Sequence, residues 1–361
     1  MASDALLFRG TVLPHGEVRS VYVVDGHVTY EPVQDATTVV EGAWLLPGLV
    51  DAHCHVGLGK QGAVDEAEQE RQATADRDAG ALVLRDCGVP ADTRWIDGRP
   101  DLPQLIRHGR HIASPKRHTR DIGVEVEPSG LVAAVETEIA RGDGWVKLVG
   151  DWIHREKGDL APLWPLAELT AAITRAHELG ARVTAHCFGE EALPDLLAAG
   201  IDGIEHGTGM LPESIALMAE RGVALVPTLI NIERFPEIAE LGAKYPTYAD
   251  HMRALHTTVH ERVGAAHDAG VPIFTGTDAG SEIVHGRIAD EAMALLQVGL
   301  SPHEALAAAS WEARSWLGVP AGLDEGDRAS FVAYPDDPHV LTVLRHPSHV
   351  VLGDQVFRPT S

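Results

Sequence analysis

Cysteine is scarce in this chain. Cys54, Cys87 and Cys187 are an odd number with no CxxC spacing, which excludes a disulfide framework as the basis of the fold. Cations are also few: 29 Lys and Arg stand against 53 Asp and Glu, a net charge of −24. A duplex-binding surface needs clustered Lys and Arg to displace counterions, so this balance argues against nucleic acid as a partner, and against anionic membranes for the same reason. No run approaches the roughly 20 apolar residues that cross a bilayer. The opening MASDALLFRG has no basic stretch leading into an apolar one. A cytoplasmic protein is the resulting expectation. No low-complexity tract interrupts the chain, and no Gly-rich phosphate loop stands near its last strand-like segments, which speaks against a nucleotide-dependent oxidoreductase.

What is present is ordinary globular material, 361 residues with 45% hydrophobic and 23% charged side chains, enough for one large α/β barrel plus a small accessory unit. Both ends are rich in strand patterns. LLFRGTVL and SVYVVDGHVTYEPV lie near the start, with Asp25-Gly26 as a hairpin signal. SFVAYPDDP, HVLTVLRH and HVVLGDQVFRP lie near the end.

The middle alternates apolar strand candidates with Ala-, Leu- and Glu-rich helical windows. The strands are 45–53, 80–88, 104–114, 145–150, 182–187, 200–206, 223–229 and 271–278; helical windows include 131–142, 166–180, 213–222 and 250–269. Continuous apolar runs suit parallel strands covered on both faces. The pattern predicts a (β/α)8 barrel over residues 46–324, with a small β-sandwich subdomain built from residues 1–45 and 325–361. Residues 88–104 and 151–165 read as long loops.

Metal-competent side chains recur at the ends of these strands. His53 and His55 in PGLVDAHCH are two apart, so on a strand they project from one face. Lys147 sits inside WVKLVG, His186 ends RVTAHC, His206 ends GIDGIEH and Asp278 ends VPIFTGTD. A barrel gathers the carboxyl ends of its strands at one mouth, so five strands would each deliver a ligand to the same place. Lys147 is notable, because a buried ammonium needs a partner and would repel a cation beside it. A carbamate formed from the amine and carbon dioxide removes both difficulties.

This order of HxH, Lys, His, His and Asp resembles the amidohydrolase superfamily. LLPGLVDAHCH, LRDCG and the late stretch SPHEALAAASWEARSWLGVPAGLDEGDRASFVAYPDDP match it in style. The chain is similar to the branch holding imidazolonepropionase-like proteins and the Xaa-Pro and Xaa-Arg dipeptidases; the Lys argues against imidazolonepropionase itself. The resemblance implies two divalent ions, zinc by preference over manganese, iron or cobalt. His53, His55 and Asp278 would hold one, His186 and His206 the other, and carboxylated Lys147 would bridge them. It implies a hydrolase in which metal-activated water attacks an amide of a dipeptide, N-acyl amino acid or cyclic amide, with Asp278 moving the proton. A lactonase or a carbamate or ester hydrolase would keep the same ligands. Deamination is disfavoured, since Gly189 stands where a His-x-x-Glu pattern after His186 needs Glu. A scaffold that has lost its metals should lack some ligands, and none is missing.

Substrate contacts are expected from the loops at the mouth. His118 lies where the related dipeptidases carry a substrate-binding His, although PKRHT replaces their glycine-rich GGHG. Trp152, His154 and Arg155 follow the Lys147 strand, and Thr228 and Asn231 follow the seventh. Ser281 and His285 follow Asp278 in a flap-like segment. Arg85 near a strand end is a further candidate, or pairs with Asp86. Arg117, Arg155 and His118 hint at a small-molecule substrate bearing a carboxylate. A homo-oligomer is compatible with the sequence.

Overall fold

The computed structural model describes residues 5–359, a mixed α/β fold. The two ends of the chain meet in one seven-stranded sheet, ordered Gln355–Phe357, His349–Leu352, Ser330–Tyr334, Thr37–Pro47, Leu6–Val12, Glu17–Val24 and His27–Thr29. Asp25 and Gly26 both have positive φ, 50° and 78°, the backbone a tight two-residue hairpin requires. Strand alternation gives this sheet two apolar faces. Leu45, Phe331, Ala333 and Val351 enter a local core, while their neighbours Leu46, Val332, Tyr334, Val350 and Leu352 pack on the central body. Phe8 pairs with Val40 and Phe331 with Pro47, positions that would lie about 23 Å apart along a flat strand. Their rings nevertheless meet edge to face at 5.0 Å, so the sheet curls over its own core.

The central strands are parallel. Gln104–Arg107, Ala81–Asp86 and Leu49–Cys54 form one group; Ile112–Ala113, Trp145–Val149, Arg182–Cys187, Gly203–His206 and Ala224–Val226 form another. The segment expected as a strand at 271–278 joins them through single parallel bridges, Leu225 with Ile273 and Cys54 with Ala279. At the other side, the expected strand 104–114 is split in two by a turn at Gly109 (φ 73°). Its first piece pairs with Ala81–Asp86 and its second with Trp145–Val149.

Alternation again sorts the side chains. Leu82, Leu84, Val146, Leu148, Val183, Cys54 and Cys187 face the helices, whereas Val50, Ala52, Val83, Trp145, Val226 and Phe274 point inward. Lys147, two residues after Trp145, must then point inward as well. Helices cover the outside in register with their apolar spacing: Leu166–Glu178 buries Leu169, Ala172, Ile173 and Ala176. Each buried Leu or Ile contributes roughly 1.5–3 kcal/mol. Residues 151–165 are not a plain loop. Asp151–His154 and Asp159–Pro162 pair as an antiparallel hairpin whose turn uses Gly158 at φ 70°. No helix of the described residues is long and apolar enough to cross a membrane.

Candidate active site

The carboxyl ends of the parallel strands bring His53, His55, His186, His206, Asp278 and Lys147 to one cavity of about 370 Å³. The rings of His53 and His55 lie 5.2 Å apart, those of His53 and His206 5.1 Å, and those of His186 and His206 4.7 Å. Asp278 Oδ1 is 3.1 Å from His55 Nε2 and 3.3 Å from His53 Nε2. Ligand atoms of His53, His206 and Asp278 all fall within 4.8 Å of one another. This tight group takes His206 from one of the two expected ligand sets and His53 and Asp278 from the other.

Backbone conformation decides which side chains arrive. His186 is level with Glu205, and Cys187 with His206, in the pairing of their strands. Cys187 faces the helices, so simple alternation would send His206 outward too. Its φ of 69° turns it back to the cavity, leaving both Glu205 and His206 inside. Thr228 (48°) and Asp278 (57°) end their strands in the same left-handed region. Three such residues around one cavity are strain held by the surrounding structure, a pattern common at functional sites.

The imidazoles are oriented from behind. His53 Nδ1 is 2.8 Å from Glu205 Oε2, and Glu205 Oε1 accepts a 2.7 Å bond from Arg85 Nη2. Burial opposes ionisation of Glu205, but Arg85, then Lys147 and His53, outweigh it and hold the carboxyl well below its usual range. His55 Nδ1 lies 3.0 Å from Gly88 O, and His206 Nδ1 lies 2.7 Å from Thr228 Oγ1. In each of the three rings Nδ1 is engaged and Nε2 is left for the cavity. Asn231 Nδ2 donates to Asp278 Oδ2 at 2.6 Å. Asn231 rides on the short helix Leu229–Ile232, whose Leu229 and Ile230 N–H groups donate to the fully buried Glu291 carboxylate. That burial pushes Glu291 up to about 8.

Four polar atoms of cavity residues are buried without a hydrogen bond: Lys147 Nζ, His186 Nε2, His111 Nε2 and His118 Nδ1. Lys147, 3% exposed, has neither a hydrogen bond nor an ion pair, whereas His186 Nε2 has the Asp151 carboxylate 3.7 Å away, beyond hydrogen-bond reach. An unpaired buried polar atom costs about 1–3 kcal/mol, more if charged, so several of them around one cavity indicate groups shaped for a ligand.

The expected substrate contacts separate into three sets. His118, Trp152 and Asn231 line the cavity, as does Ser281. Arg85 and Thr228 have no exposure and lie beneath the imidazoles, where no substrate reaches; Arg85 pairs with Glu205 and not with Asp86, which points to the other face of its strand. His154, Arg155 and His285 lie elsewhere. His154 and Arg155 sit at the hairpin tip, with Lys157 N donating to His154 Nδ1 and Arg155 exposed. His285 is turned away against Asp76, at 2.7 Å. Sequence reasoning missed Glu205 and also His111, a buried ring 4.5 Å from His118 and 5.9 Å from His55. Burial holds His111 well below its usual range and pushes His118 down to about 4. Glu205 was hidden by the broken alternation beside it, and only its place in GIEH, next to a ligand candidate, marks it in the sequence.

The model of the amidohydrolase family matches residues 133–356. Uncharacterized proteins of Mycobacterium bovis and Mycobacterium tuberculosis are each 57% identical over 353 residues, covering 97% of this chain and 95% of theirs. The chain belongs to the amidohydrolase family and is a hydrolase by class. Among solved structures, a Xaa-Pro dipeptidase with methionine bound in its active site superposes with a TM-score of 0.82 at 21% identity, over 98% of this chain and 100% of the other. A putative prolidase from Bifidobacterium longum gives 0.81 at 23%, over 98% and 94%. The ochratoxinase of A. niger gives 0.78 at 20%, over 99% and 96%. These likenesses place the fold with that of dipeptidase-type amidohydrolases.

Proposed function

We propose that this chain is a binuclear metal-dependent hydrolase of small-molecule amides, built on a (β/α)8 barrel whose rolled terminal sheet is a sandwich-like accessory unit. The observation that carries the reading is the buried, unpartnered Lys147 Nζ in one cavity with His53, His55, His186, His206 and Asp278. Such a donor set fits divalent ions, zinc above all. His53, His55, His206 and Asp278 would hold one side of the centre and His186 the other. Lys147, carboxylated by carbon dioxide, would supply the bridging anion that an ammonium cannot. When bound, the ions supply a hydroxide nucleophile at neutral pH and polarise the scissile carbonyl.

The remaining steps fall to the chain itself. Asn231 ties down Oδ2 of Asp278 and leaves Oδ1 turned to the reacting centre. From there Asp278 takes the proton of the attacking water and returns it to the leaving nitrogen. Glu205 keeps the Nδ1 proton of His53 fixed, so that Nε2 stays a ligand. Trp152 and Phe188, packed on His186 at ring distances of 5.4 and 4.2 Å, exclude bulk water from that side. His53→Ala and Asp278→Asn should each abolish turnover and lower metal content while the protein stays folded. Full activity in either variant removes that residue from the mechanism.

A further inference from the structure

The walls of the cavity above the imidazoles say which amide they suit. Much of the lining is apolar: Trp152, Ile153, Phe188, Ile238, Leu241 and Tyr248. Leu241 remains 78% exposed at the rim, a large apolar side chain that an incoming ligand would cover. Leu58, Ile122 and Ile283 belong to the same lining. At about 370 Å³ the cavity is near the small end of ligand sites, room for one ring and a short chain.

The cations that would hold a carboxylate are committed elsewhere. Arg117 does not line the cavity: its Nη2 donates to Trp152 O and Ala161 O, at 2.8 and 2.7 Å, and fastens the hairpin, while its Nε is buried without a partner. Arg155 lies outside the cavity. Arg234 does line it, but sits between Glu237 (3.3 Å) and Glu282 (3.9 Å), and Glu282 in turn binds Lys60 at 2.7 Å. Two cations and two acids cancel at this rim, and a substrate carboxylate would arrive as a third acid. Two hydrogen-bonding atoms of the lining lack partners instead: His111 Nε2 and His118 Nδ1 are buried without a hydrogen bond, and both residues line the cavity. Groups of this kind suit a carbonyl or an N–H of an uncharged ligand.

We infer that the substrate is an uncharged amide carrying an apolar, ring-sized group, which packs against Trp152, Ile238 and Leu241, and not a dipeptide or N-acyl amino acid ending in a free carboxylate. The inference takes its reaction from the hydrolase reading, but its ligand from the cavity walls alone.

The test compares N-acetyl-L-phenylalanine with its amide, molecules alike in ring and acyl group and different in charge. Binding to the zinc-loaded protein is measured by calorimetry and hydrolysis by product analysis. The amide should bind about tenfold or more tightly than the acid, a discrimination within the range a pocket achieves. Leu241→Glu should erase most of that advantage, and Arg234→Met should change amide binding less than about threefold. Tighter binding of the acid, lost in Arg234→Met, overturns the inference, and so does failure of the protein to bind either molecule. If the amide binds and is never cleaved, nor any other neutral aryl amide, the hydrolase reading fails and the ligand assignment survives. Efficient cleavage of the acid alone does the reverse.

Discussion

Replacing Glu205 with Gln keeps the side-chain volume at the base of the cavity and removes one charge. Arg85, with no solvent exposure, then loses its carboxylate at 2.7 Å. At an effective dielectric of about 20, a contact this close carries roughly 6 kcal/mol of gross attraction. Much of that is offset in the intact pair by the desolvation of both ions. Breaking the pair exposes the cost of the orphaned guanidinium, and Glu205→Gln should lose about 3–5 kcal/mol. Urea unfolding of the metal-free protein reads this loss without interference from metal linkage. His53 simultaneously loses the carboxylate at its Nδ1, so zinc affinity measured against a competing chelator should fall about 10–100-fold. The double variant Arg85→Met, Glu205→Gln removes both charges; its stability should return toward that of the parent while zinc binding stays weak. The two readouts are therefore expected to part company. Glu205→Gln within about 1 kcal/mol of the parent, with zinc affinity unchanged, would refute the argument that this buried pair holds the site.

Three further outcomes follow from particular contacts. Lys147→Met should bind less than the full complement of metal and lose activity by about 100-fold or more, with Lys147→Arg no better, since neither side chain forms a carbamate; a parent-like metal content in Lys147→Met counts against a bridging role. Asn231→Ala frees Asp278 Oδ2 and should lower kcat by about tenfold with little change in unfolding midpoint, and an unchanged kcat would mean that the 2.6 Å bond does not aim the carboxylate. His251 bridges Asp159 and Glu190, both at 2.9 Å, and the Glu190 bond, opposed by partial burial and helped by Asp159, raises it from 6.5 to about 9. A raised base stabilises fully below 6.5 and loses its effect as pH climbs through about 9, while Glu190, lowered from 4.5 to about 2, contributes above 4.5 and fails toward 2. His251→Gln should therefore destabilise by about 1 kcal/mol near pH 6 and by almost nothing near pH 10, and equal losses at both would contradict the ion-pair account.

Much of the site was readable because its chemistry is carried by residue types that are expensive to bury without a purpose. A lysine inside WVKLVG and histidines closing apolar runs conflict with the strands that hold them, and such conflicts mark function. The helices at 166–180 and 250–269 were readable for the opposite reason. Their apolar spacing agrees with what they pack on, and they appear as Leu166–Glu178 and Pro246–Asp268. The Asp25-Gly26 hairpin was equally legible, because few residue pairs accept two positive φ angles. The hairpin at 151–162 was not, since two four-residue strands are too short to show a clear period.

By itself, then, the sequence determined the alternation of strands and helices, the joining of the two ends in β-structure, and the identity of six groups that converge. Those depend on local pattern and on the cost of burying charge, both of which are written residue by residue. Only the tertiary structure decided which candidates reach the cavity and which support it from beneath. His206 joins Glu205 inside because it turns through a left-handed φ, Arg85 is sealed below because Glu205 meets it across the interior, and His285 is drawn aside by Asp76 of a distant helix. Each of these outcomes rests on a partner more than a hundred residues away or on a single backbone angle, and neither leaves a periodic trace along the chain.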